Sequence, residues 1–470
     1  MIQQDDHDRQ GDHDRQPSTA SFNEATLATI DRWVAYRVWH SHVPGAQVAI
    51  GFGNELVFSA AYGYADLEQR APMRTDHLFR VASHSKTFTA TLILQLVEQR
   101  RLSLDDRVGN HVVELHDQEL GDIVLRELLE HTSGVLRDGE DADFWLGLRP
   151  FPDYEEMISL VSAGAKRSPG ELFAYSNLGF GLLGAVLSSV TGQPYAEMVR
   201  QQITEPLNLT NTAGRYLAER ADDYARGYTG LSTGLQRQRL DHVDTRALDA
   251  AAGVTSTAED LVSYFGAHAL GDVQLLSDRA KRLMQRTANL ADPSKPDGPT
   301  YGLGMAAESF DEHRVVGHGG GYPGHITRSL LDPETGLVVV ALTNAIDGPA
   351  SQLAAGVLKL VDDALAHPAT DGSPFSDVLD RAGRYQNLWG MLDIGVVGSR
   401  LLATHPAEWD PLDGADELEV IDHGKFRIVA GSGYGSIGES VKFSPDGSLR
   451  YGSMTLRRVD ELEERSDIFS

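Results

Sequence analysis

A serine and a lysine three residues apart stand where a long helical pattern begins. The segment is Phe79-Arg-Val-Ala-Ser83-His-Ser-Lys86, and apolar residues at helical spacing continue to about residue 99. Three residues are nearly one helical turn, so the lysine amine returns over the serine hydroxyl. A serine hydroxyl is a weak nucleophile until a base takes its proton, and a lysine whose pKa is lowered by burial can be that base. The spacing therefore predicts a nucleophile, although a serine cap before an exposed lysine has the same pattern.

Two further segments contain residue types that suit the same chemistry. Tyr175-Ser-Asn177 lies about 90 residues downstream of Ser83, and His318-Gly-Gly320-Gly321 lies much further along the chain. Taken alone, the tyrosine fits an aromatic residue at a loop edge, and the histidine fits an ordinary strand residue. The glycines after His318 leave the backbone accessible, so a substrate could lie alongside it.

These three segments, in this order, resemble the serine β-lactamase and penicillin-recognising hydrolase superfamily, in its class C-like branch. That superfamily places a Ser-x-x-Lys, a Tyr-x-Asn and a Lys/His-x-Gly motif around one cleft. The resemblance spans about residues 25–365 and includes Leu128-Leu-Glu-His131-Thr-Ser-Gly134, Ala252-Gly-Val-Thr-Ser-Thr257 and Leu342-Thr-Asn344. It implies an α/β (α+β) sandwich, in which helices flank an antiparallel sheet beside an all-helical lobe.

The resemblance also implies a covalent mechanism. Ser83 would attack a carbonyl to form an acyl-enzyme, while Tyr175 with Lys86 takes its proton and returns one to the leaving group. A phenolate is a competent base only if a nearby cation lowers its pKa from about 10. Lys86 is expected to be that cation.

Further side chains and backbone groups would complete the site. The resemblance implies that Asn177 holds the substrate amide and keeps the lysine oriented. The oxyanion would sit between the backbone N–H groups of Ser83 and Gly321, with Gly320 beside them on the same strand. His318 is expected to contact the substrate or the Tyr175 hydroxyl.

The departures from a true β-lactamase bear on the substrate. His318 stands where class C β-lactamases have lysine, and the sequence as given shows no export signal, so a cytoplasmic enzyme is expected. Both observations disfavour a β-lactamase or a D-Ala-D-Ala carboxypeptidase. The His-x-Gly motif resembles D-aminopeptidases and D-amino-acid amidases, which cleave amide bonds of small substrates. A carboxylesterase is the nearly equal alternative, and a catalytically inactive binding protein is disfavoured because the motif residues are all present.

Composition limits the remaining chemistry. The 470 residues include no cysteine, which excludes disulfides, cysteine-ligated metals and a thiol nucleophile. The 68 acidic and 41 basic residues give a net charge of −27, which disfavours nucleic acid and anionic membranes as partners. We therefore expect a small-molecule or short-peptide substrate, no cofactor and no metal, with a homo-oligomer as an open possibility.

The elements that position these residues fall into a large and a small domain. Residues 1–20 read as a solvated tail with a repeated Asp-His-Asp-Arg-Gln, 21–366 as the hydrolase domain, 367–374 as a linker and 375–470 as a second domain. Helical spacing predicts helices at 27–39, 83–99 and 352–366. Strand-like residue patterns predict strands at 46–50, 56–62, 301–305, 314–316, 326–332 and 337–343. Short alternating runs after residue 375 predict a small antiparallel β-barrel, which resembles lipocalin-like domains.

Several other features carry weaker hypotheses. Asp138, Glu140, Asp141 and Asp143 could recognise a substrate ammonium group, although a solvated acidic loop fits them better. Three aromatic residues could wall a substrate pocket or pack the helical lobe: Phe144, Trp145 and Phe151.

His131 is expected to organise its loop, and the glycine-rich loop at 431–438 is a candidate lid. Gly-x-Gly-x-x-Gly matches at 319–324 and 433–438 precede strand-like residues, so they do not predict a dinucleotide site.

Overall fold

The computed structural model describes residues 23–460 apart from 164–168, 171, 233, 235, 287–288, 293, 296–297, 311–312, 370–374 and 423. The predicted tail at 1–20 and residues 370–374 of the predicted linker lie outside these described residues. The domain boundaries given above therefore remain predictions.

The described helices include the three predicted ones, close to their predicted places, and further helices between and after them. They are α1 Glu24–His40, α2 Ser85–Glu98, α3 Leu125–Leu129, α4 Tyr154–Ser162, α5 Asn177–Thr191, α6 Tyr195–Val199, α7 Asp249–Ala252, α8 Ala258–Gly266, α9 Asp278–Gln285, α10 Ala350–Ala366 and α11 Ser376–Leu379.

The described strands divide into a large sheet, two small pairs and a barrel. They are β1 Gly45–Phe52, β2 Glu55–Asp66, β3 Ala71–Pro72, β4 Phe79–Arg80, β5 Gly227–Tyr228, β6 Arg239–Leu240, β7 Thr255–Ser256, β8 Asn289–Leu290, β9 Thr300–Tyr301, β10 Ala306–Phe310, β11 His313–Tyr322, β12 His325–Leu331, β13 Leu337–Thr343, β14 Gly383–Asn387, β15 Gly390–Val397, β16 Arg400–Thr404, β17 Asp416–Asp422, β18 Lys425–Ala430, β19 Ser440–Phe443, β20 Leu449–Tyr451 and β21 Met454–Val459.

The large sheet has the strand order β3-β2-β1-β13-β12-β11-β10-β9-β8. Its inner strand β13 is buried along its whole length, and alternate residues belong to two different cores. Val338, Val340 and Leu342 face the core that holds α2, α5 and α8, whereas the residues between them face the core of α1 and α10. This alternation follows from the period of two in a strand and puts helices on both faces of the sheet. The predicted sandwich is confirmed.

Two predicted strands differ from the structure. The prediction at 301–305 is wrong, because Gly304 adopts a positive φ of 72° and separates β9 from β10. The strand predicted at 314–316 extends through the glycines as far as Tyr322, since each of them pairs with a residue of β12. Partner pairing thus outweighs the poor intrinsic strand preference of glycine.

The second domain is a closed antiparallel barrel of β14 to β21, as predicted. Its first three strands were not singled out in the sequence. The barrel packs on α1 through backbone and side-chain hydrogen bonds. Thr29 Oγ1 donates to the Val396 carbonyl at 3.0 Å, and the Arg384 guanidinium donates to the Arg32 carbonyl at 2.9 Å.

The glycine-rich loop at 431–438 folds back on the barrel. The backbone N–H groups of Gly433 and Gly435 donate to Asp416 at 3.0 and 3.1 Å, and Tyr434 pairs with Asn387. Among the described residues, no hydrogen bond joins this loop to the catalytic residues. These contacts give the predicted lid no support. Separately, no helix in the described part of the chain combines the length and apolar character needed to cross a membrane.

Candidate active site

Ser83 lies in a tight turn that leads into α2. The turn is a 3₁₀ helix over Ala82–His84, so the α-helix begins at Ser85 and not at residue 83. Ala82 has a left-handed φ of 47°, which is uncommon for a residue with a side chain. The Val81 amide donates to the Val254 carbonyl at 3.1 Å and ties the turn to the strand pair beneath it. The turn leaves Ser83 partly exposed at the start of a buried helix.

Lys86 is fully buried in the first turn of α2. Its Nζ lies 3.2 Å from Ser83 Oγ, 2.7 Å from Asn177 Oδ1 and 3.0 Å from the Ala251 carbonyl oxygen. Burial lowers the pKa of the Lys86 amine well below its usual value, because water no longer stabilises the charged form. The lowered pKa favours the neutral amine, which can accept a proton from Ser83.

Tyr175 approaches Ser83 from the segment before α5. Its hydroxyl donates to Ser83 Oγ at 2.8 Å, and Lys86 Nζ lies 4.7 Å from the centre of its ring. Burial raises the pKa of the Tyr175 phenol above its usual value, whereas the sequence-based expectation was a lowered pKa and a phenolate. Burial outweighs the hydrogen bond to Ser83 and the charge of Arg137, which both lower this pKa, so the structure gives the expected phenolate no support. Tyr175 therefore stands beside the nucleophile as a neutral proton donor.

Asn177 is the first residue of α5, whose N-cap Ser176 accepts from the Gly179 amide. The Asn177 amide connects Lys86 to Asp138, because its Nδ2 donates to Asp138 Oδ1 at 2.8 Å. Trp145 Nε1 donates to the same oxygen at 3.0 Å, and the exposed Arg137 faces Asp138 Oδ2 at 3.2 Å. Asp138 is thus a buried carboxylate at the edge of the site.

The remaining acidic residues of that segment lie on the surface. Glu140 and Asp143 are exposed, and Asp141 pairs with Arg149 at 3.0 Å. The solvated-loop interpretation therefore describes these three residues, while Asp138 differs from them in its burial and its contact with Asn177.

His318 lies on β11 and is almost fully buried. Its Nδ1 is 2.6 Å from the Gly319 carbonyl oxygen, so that nitrogen carries the proton and Nε2 accepts from the Tyr301 hydroxyl at 2.9 Å. Burial, with a smaller contribution from Lys86, lowers the pKa of His318 to about 3. The hydroxyl that contacts His318 is that of Tyr301 and not that of Tyr175, and no sequence motif had marked Tyr301; the alternative contact with substrate stays a prediction.

Gly320 and Gly321 bring β11 to the nucleophile turn. A side chain at Gly320 would place its Cβ 2.2 Å from the Val81 carbonyl oxygen, so only glycine allows this approach. The next residue, Gly321, is exposed, and a Cβ there would meet only Ile326 Cδ1, at an ordinary contact distance of 3.7 Å. The predicted oxyanion donors, the amides of Ser83 and Gly321, thus belong to two segments that pack directly on each other.

His131 and two of the three aromatic residues act as packing groups. His131 has a left-handed φ of 58°, its Nδ1 accepts from the Ser176 amide at 3.1 Å, and its ring centre lies 4.3 Å from that of Tyr175. These contacts agree with the predicted organising role. Phe144 and Phe151 are fully buried in the helical lobe, as their packing alternative predicts.

In the part of the chain that the structure describes, no group of three or more His, Asp or Glu side chains is arranged to hold a metal ion.

Comparison with known proteins places this site in a family. A sequence profile of the Beta-lactamase family matches residues 30–362. Protein flp of Staphylococcus aureus (strain N315) is 29% identical over 325 residues, which cover 67% of this chain and 62% of that protein. This chain therefore spans less than two thirds of the length of that curated relative.

Two solved structures share the fold. The octameric penicillin-binding protein homologue from Pyrococcus abyssi superimposes with a TM-score of 0.65 at 24% identity, covering 92% of this chain and 99% of that one. A D-stereospecific amidohydrolase from Streptomyces sp. superimposes with a TM-score of 0.59 at 26% identity, covering 73% and 98%. The profile match, which extends over most of the chain and includes all three motifs, shows that this chain belongs to the Beta-lactamase family.

Proposed function

We propose that the protein is a serine amidohydrolase that forms an acyl-enzyme on Ser83 and cleaves amide or peptide bonds of small substrates, as D-aminopeptidases and D-amino-acid amidases do. One observation carries the proposal. A buried amine, Lys86, and a neutral phenol, Tyr175, both contact Ser83 Oγ, at 3.2 and 2.8 Å. Such a nucleophile has a base and an acid on the same oxygen.

The two groups divide the proton transfers of acylation. Lys86 takes the Ser83 proton as Oγ attacks the substrate carbonyl, and the amides of Ser83 and Gly321 stabilise the oxyanion. Tyr175 gives its proton to the leaving nitrogen as the carbon–nitrogen bond breaks, and the proton held by Lys86 restores the phenol. In deacylation, water attacks the ester, loses a proton to this pair and releases the acid, while Ser83 regains its hydrogen.

The neutral Tyr175 favours an amide over an ester. An amine leaves from a tetrahedral intermediate only after its nitrogen is protonated, whereas an alkoxide leaves with less assistance. The similarity to the Streptomyces D-stereospecific amidohydrolase supports the same substrate class. Ester cleavage through the same acyl-enzyme remains the alternative outcome of the test.

The charges beside β11 do not favour β-lactams or peptides ending in a carboxylate. His318 is uncharged at neutral pH, because burial keeps its pKa at about 3. Arg328 lies next to Gly319 on the neighbouring strand, but its guanidinium is paired with Glu308. Among these side chains, no unpaired cation is left to bind a substrate carboxylate.

The proposal is tested by labelling and by a substrate panel. A serine-directed fluorophosphonate should modify Ser83, as located by peptide mass spectrometry, and Ser83→Ala should be neither labelled nor active. The values of kcat/KM for a D-aminoacyl anilide, its L-isomer, a short-chain nitrophenyl ester and a chromogenic cephalosporin then rank the classes. We expect the D-aminoacyl anilide to be cleaved best among the amides. An adduct on another serine, or cephalosporin as the best substrate, would refute the proposal.

A further inference from the structure

The direction of the Asn177 amide is determined by its neighbours. An amide group has a donor end and an acceptor end, whereas an ionised carboxylate only accepts hydrogen bonds. Asp138 Oδ1 lies 2.8 Å from Asn177 Nδ2, and Trp145 Nε1 donates to that oxygen at 3.0 Å. The carboxylate therefore requires the donor end of the amide, so the acceptor end, Oδ1, must face Lys86 at 2.7 Å.

This direction decides where the lone pair of Lys86 points. A neutral amine has two N–H donors and one lone pair. Two of the three groups around Nζ are oxygens that can only accept, Asn177 Oδ1 at 2.7 Å and the Ala251 carbonyl at 3.0 Å. They use both N–H groups, which leaves the lone pair for the third neighbour, Ser83 Oγ, at 3.2 Å.

We propose that Asp138 is a positioning residue that acts through Asn177, holding its amide in the direction that aims the Lys86 lone pair at Ser83. The inference rests on the proposed function, since it assigns Lys86 as the base. It replaces the hypothesis that Asp138 recognises a substrate ammonium group. With the Asn177 amide reversed, its N–H group would compete with Ser83 for the lone pair, and the base would be blocked.

Asp138 also supplies charge to the site. The charged and titratable side chains that face Lys86 are those of Asp138, Arg137, Tyr175, His131 and His318. Burial keeps the two histidines and the tyrosine neutral, and Arg137 is largely exposed to solvent. Asp138 is the anion of this set, and its charge partly offsets the effect of burial on the pKa of Lys86.

The test is the pH dependence of fluorophosphonate labelling of Ser83, which needs no substrate. Asp138→Asn removes both the charge and the obligate acceptor. Its labelling rate on the pH plateau should fall about tenfold or more, because a misdirected base loses its alignment. The acid midpoint, which is the pH on the acid side at which the labelling rate is half of its plateau value, should move about one unit to lower pH. The reason is that Lys86 loses its proton more easily without its nearby anion. Glu140→Gln, an exposed charge two residues away, is the matched control and should leave both unchanged.

A second variant separates positioning from simple structural support. The exchange Asp138→Asn with Asn177→Asp reverses the hydrogen bond between the two side chains but keeps an acceptor at position 177 facing Lys86, and it moves the carboxylate next to the amine. Its labelling rate should exceed that of the single variant, and its acid midpoint should lie above that of the parent protein. Thermal unfolding shows which variants are folded.

The outcomes separate this inference from the proposed function. If the parent protein is not labelled at Ser83, the proposed function fails. If it is labelled, and Asp138→Asn is folded with an unmoved midpoint and rate, only the positioning role is refuted. If Asp138→Asn does not fold, the exchanged variant decides, and a midpoint that does not rise refutes the role.

Discussion

At the scale of single residues, burial acts on two groups in opposite senses and makes them a usable pair. It lowers the pKa of the Lys86 amine and raises that of the Tyr175 phenol, so burial favours the neutral form of each group. In water at neutral pH the amine would be charged and could not act as a base. The same low-polarity surroundings therefore prepare a base and an acid on one serine oxygen.

The role of the phenol can be measured directly. Tyr175→Phe keeps the ring contacts with His131 and Lys86 but removes the proton donor to Ser83. The kcat for an anilide should fall about 10²- to 10⁴-fold with little change in KM, while an ester should lose less, because its alkoxide needs less protonation. Steady-state kinetics with both substrates give the comparison. Equal losses for the two would contradict Tyr175 as the donor to the leaving group.

At the scale of elements, the site depends on the contact between β11 and the nucleophile turn. The absence of a side chain at Gly320 lets the strand approach the Val81 carbonyl, two residues before Ser83. Pairing with β12 keeps the glycine segment extended, so the amide of Gly321 reaches the exposed edge of the strand. Strand and turn come from segments far apart in the chain, and the positions of the predicted oxyanion donors follow from their packing.

Adjacent glycines provide a matched test of this contact. Gly320→Ala would put a Cβ 2.2 Å from the Val81 carbonyl oxygen, whereas at Gly319 the nearest atom would be 3.6 Å away. Gly320→Ala should therefore destabilise the protein by about 1–3 kcal/mol and reduce the labelling of Ser83. Gly319→Ala should fold and react like the parent protein. Denaturant unfolding and fluorophosphonate labelling measure the two effects, and equal behaviour of the variants would argue against the contact.

At the scale of the whole molecule, the sheet separates the reactive side from the side that carries the barrel. The nucleophile helix α2 belongs to the core on one face, and α1, on which the barrel packs, belongs to the core on the other. A buried ion pair lies at the junction, where the Arg384 guanidinium donates to both oxygens of Asp393 at 2.6 and 2.7 Å. The described contacts thus indicate a structural role for the barrel.

The junction can be tested through this ion pair. Asp393→Ala would leave Arg384 buried and without its carboxylate, which should lower the free energy of unfolding by about 3–5 kcal/mol. The exposed pair of Arg74 and Asp76 is the control, and Asp76→Ala should cost less than about 1 kcal/mol. Urea unfolding measures both variants. A loss for Asp393→Ala as small as the control would mean that the pair does not support the junction.

Buried histidines should make the protein sensitive to acid. Burial lowers the pKa values of His84 and His318 to about 3 and that of His268 to about 4. Below the unfolded value of about 6.5, the unfolded chain binds protons that the folded chain does not, so stability falls as the pH decreases. At pH 5 each of these histidines should lower the free energy of unfolding by on the order of 2 kcal/mol. Asp249 partly offsets this loss, because burial raises its pKa to about 6 and the folded chain then binds a proton that the unfolded chain does not.

A histidine variant isolates one such contribution. His268 bridges the Tyr264 carbonyl and the Thr91 hydroxyl at 2.9 Å each, and glutamine can replace a donor and an acceptor there. The difference in unfolding free energy between pH 7 and pH 5 should be smaller in His268→Gln by on the order of 2 kcal/mol. Urea unfolding of both proteins at the two pH values measures this difference. An unchanged difference would show that His268 is not held neutral.

Much of the site could be predicted because its information is local. The spacing of Ser83 and Lys86 on one helical turn and the order of the three motifs are written in the chain. The helices at 27–39 and 352–366 followed from apolar periodicity, and the strand at 337–343 from its run of apolar residues. The barrel followed from alternating runs between turn residues, although its first strands carried too weak a pattern to be placed one by one.

The amino-acid sequence by itself determined which residue types are available, their spacing within single elements and the family to which they belong. Only the tertiary structure decided that burial raises the pKa of the Tyr175 phenol, that His318 pairs with Tyr301 and that Asp138, alone of four neighbouring acidic residues, reaches Asn177. These properties depend on desolvation and on contacts between segments distant in the chain. Periodicity and motif spacing describe only neighbours along the chain, so they do not contain this information.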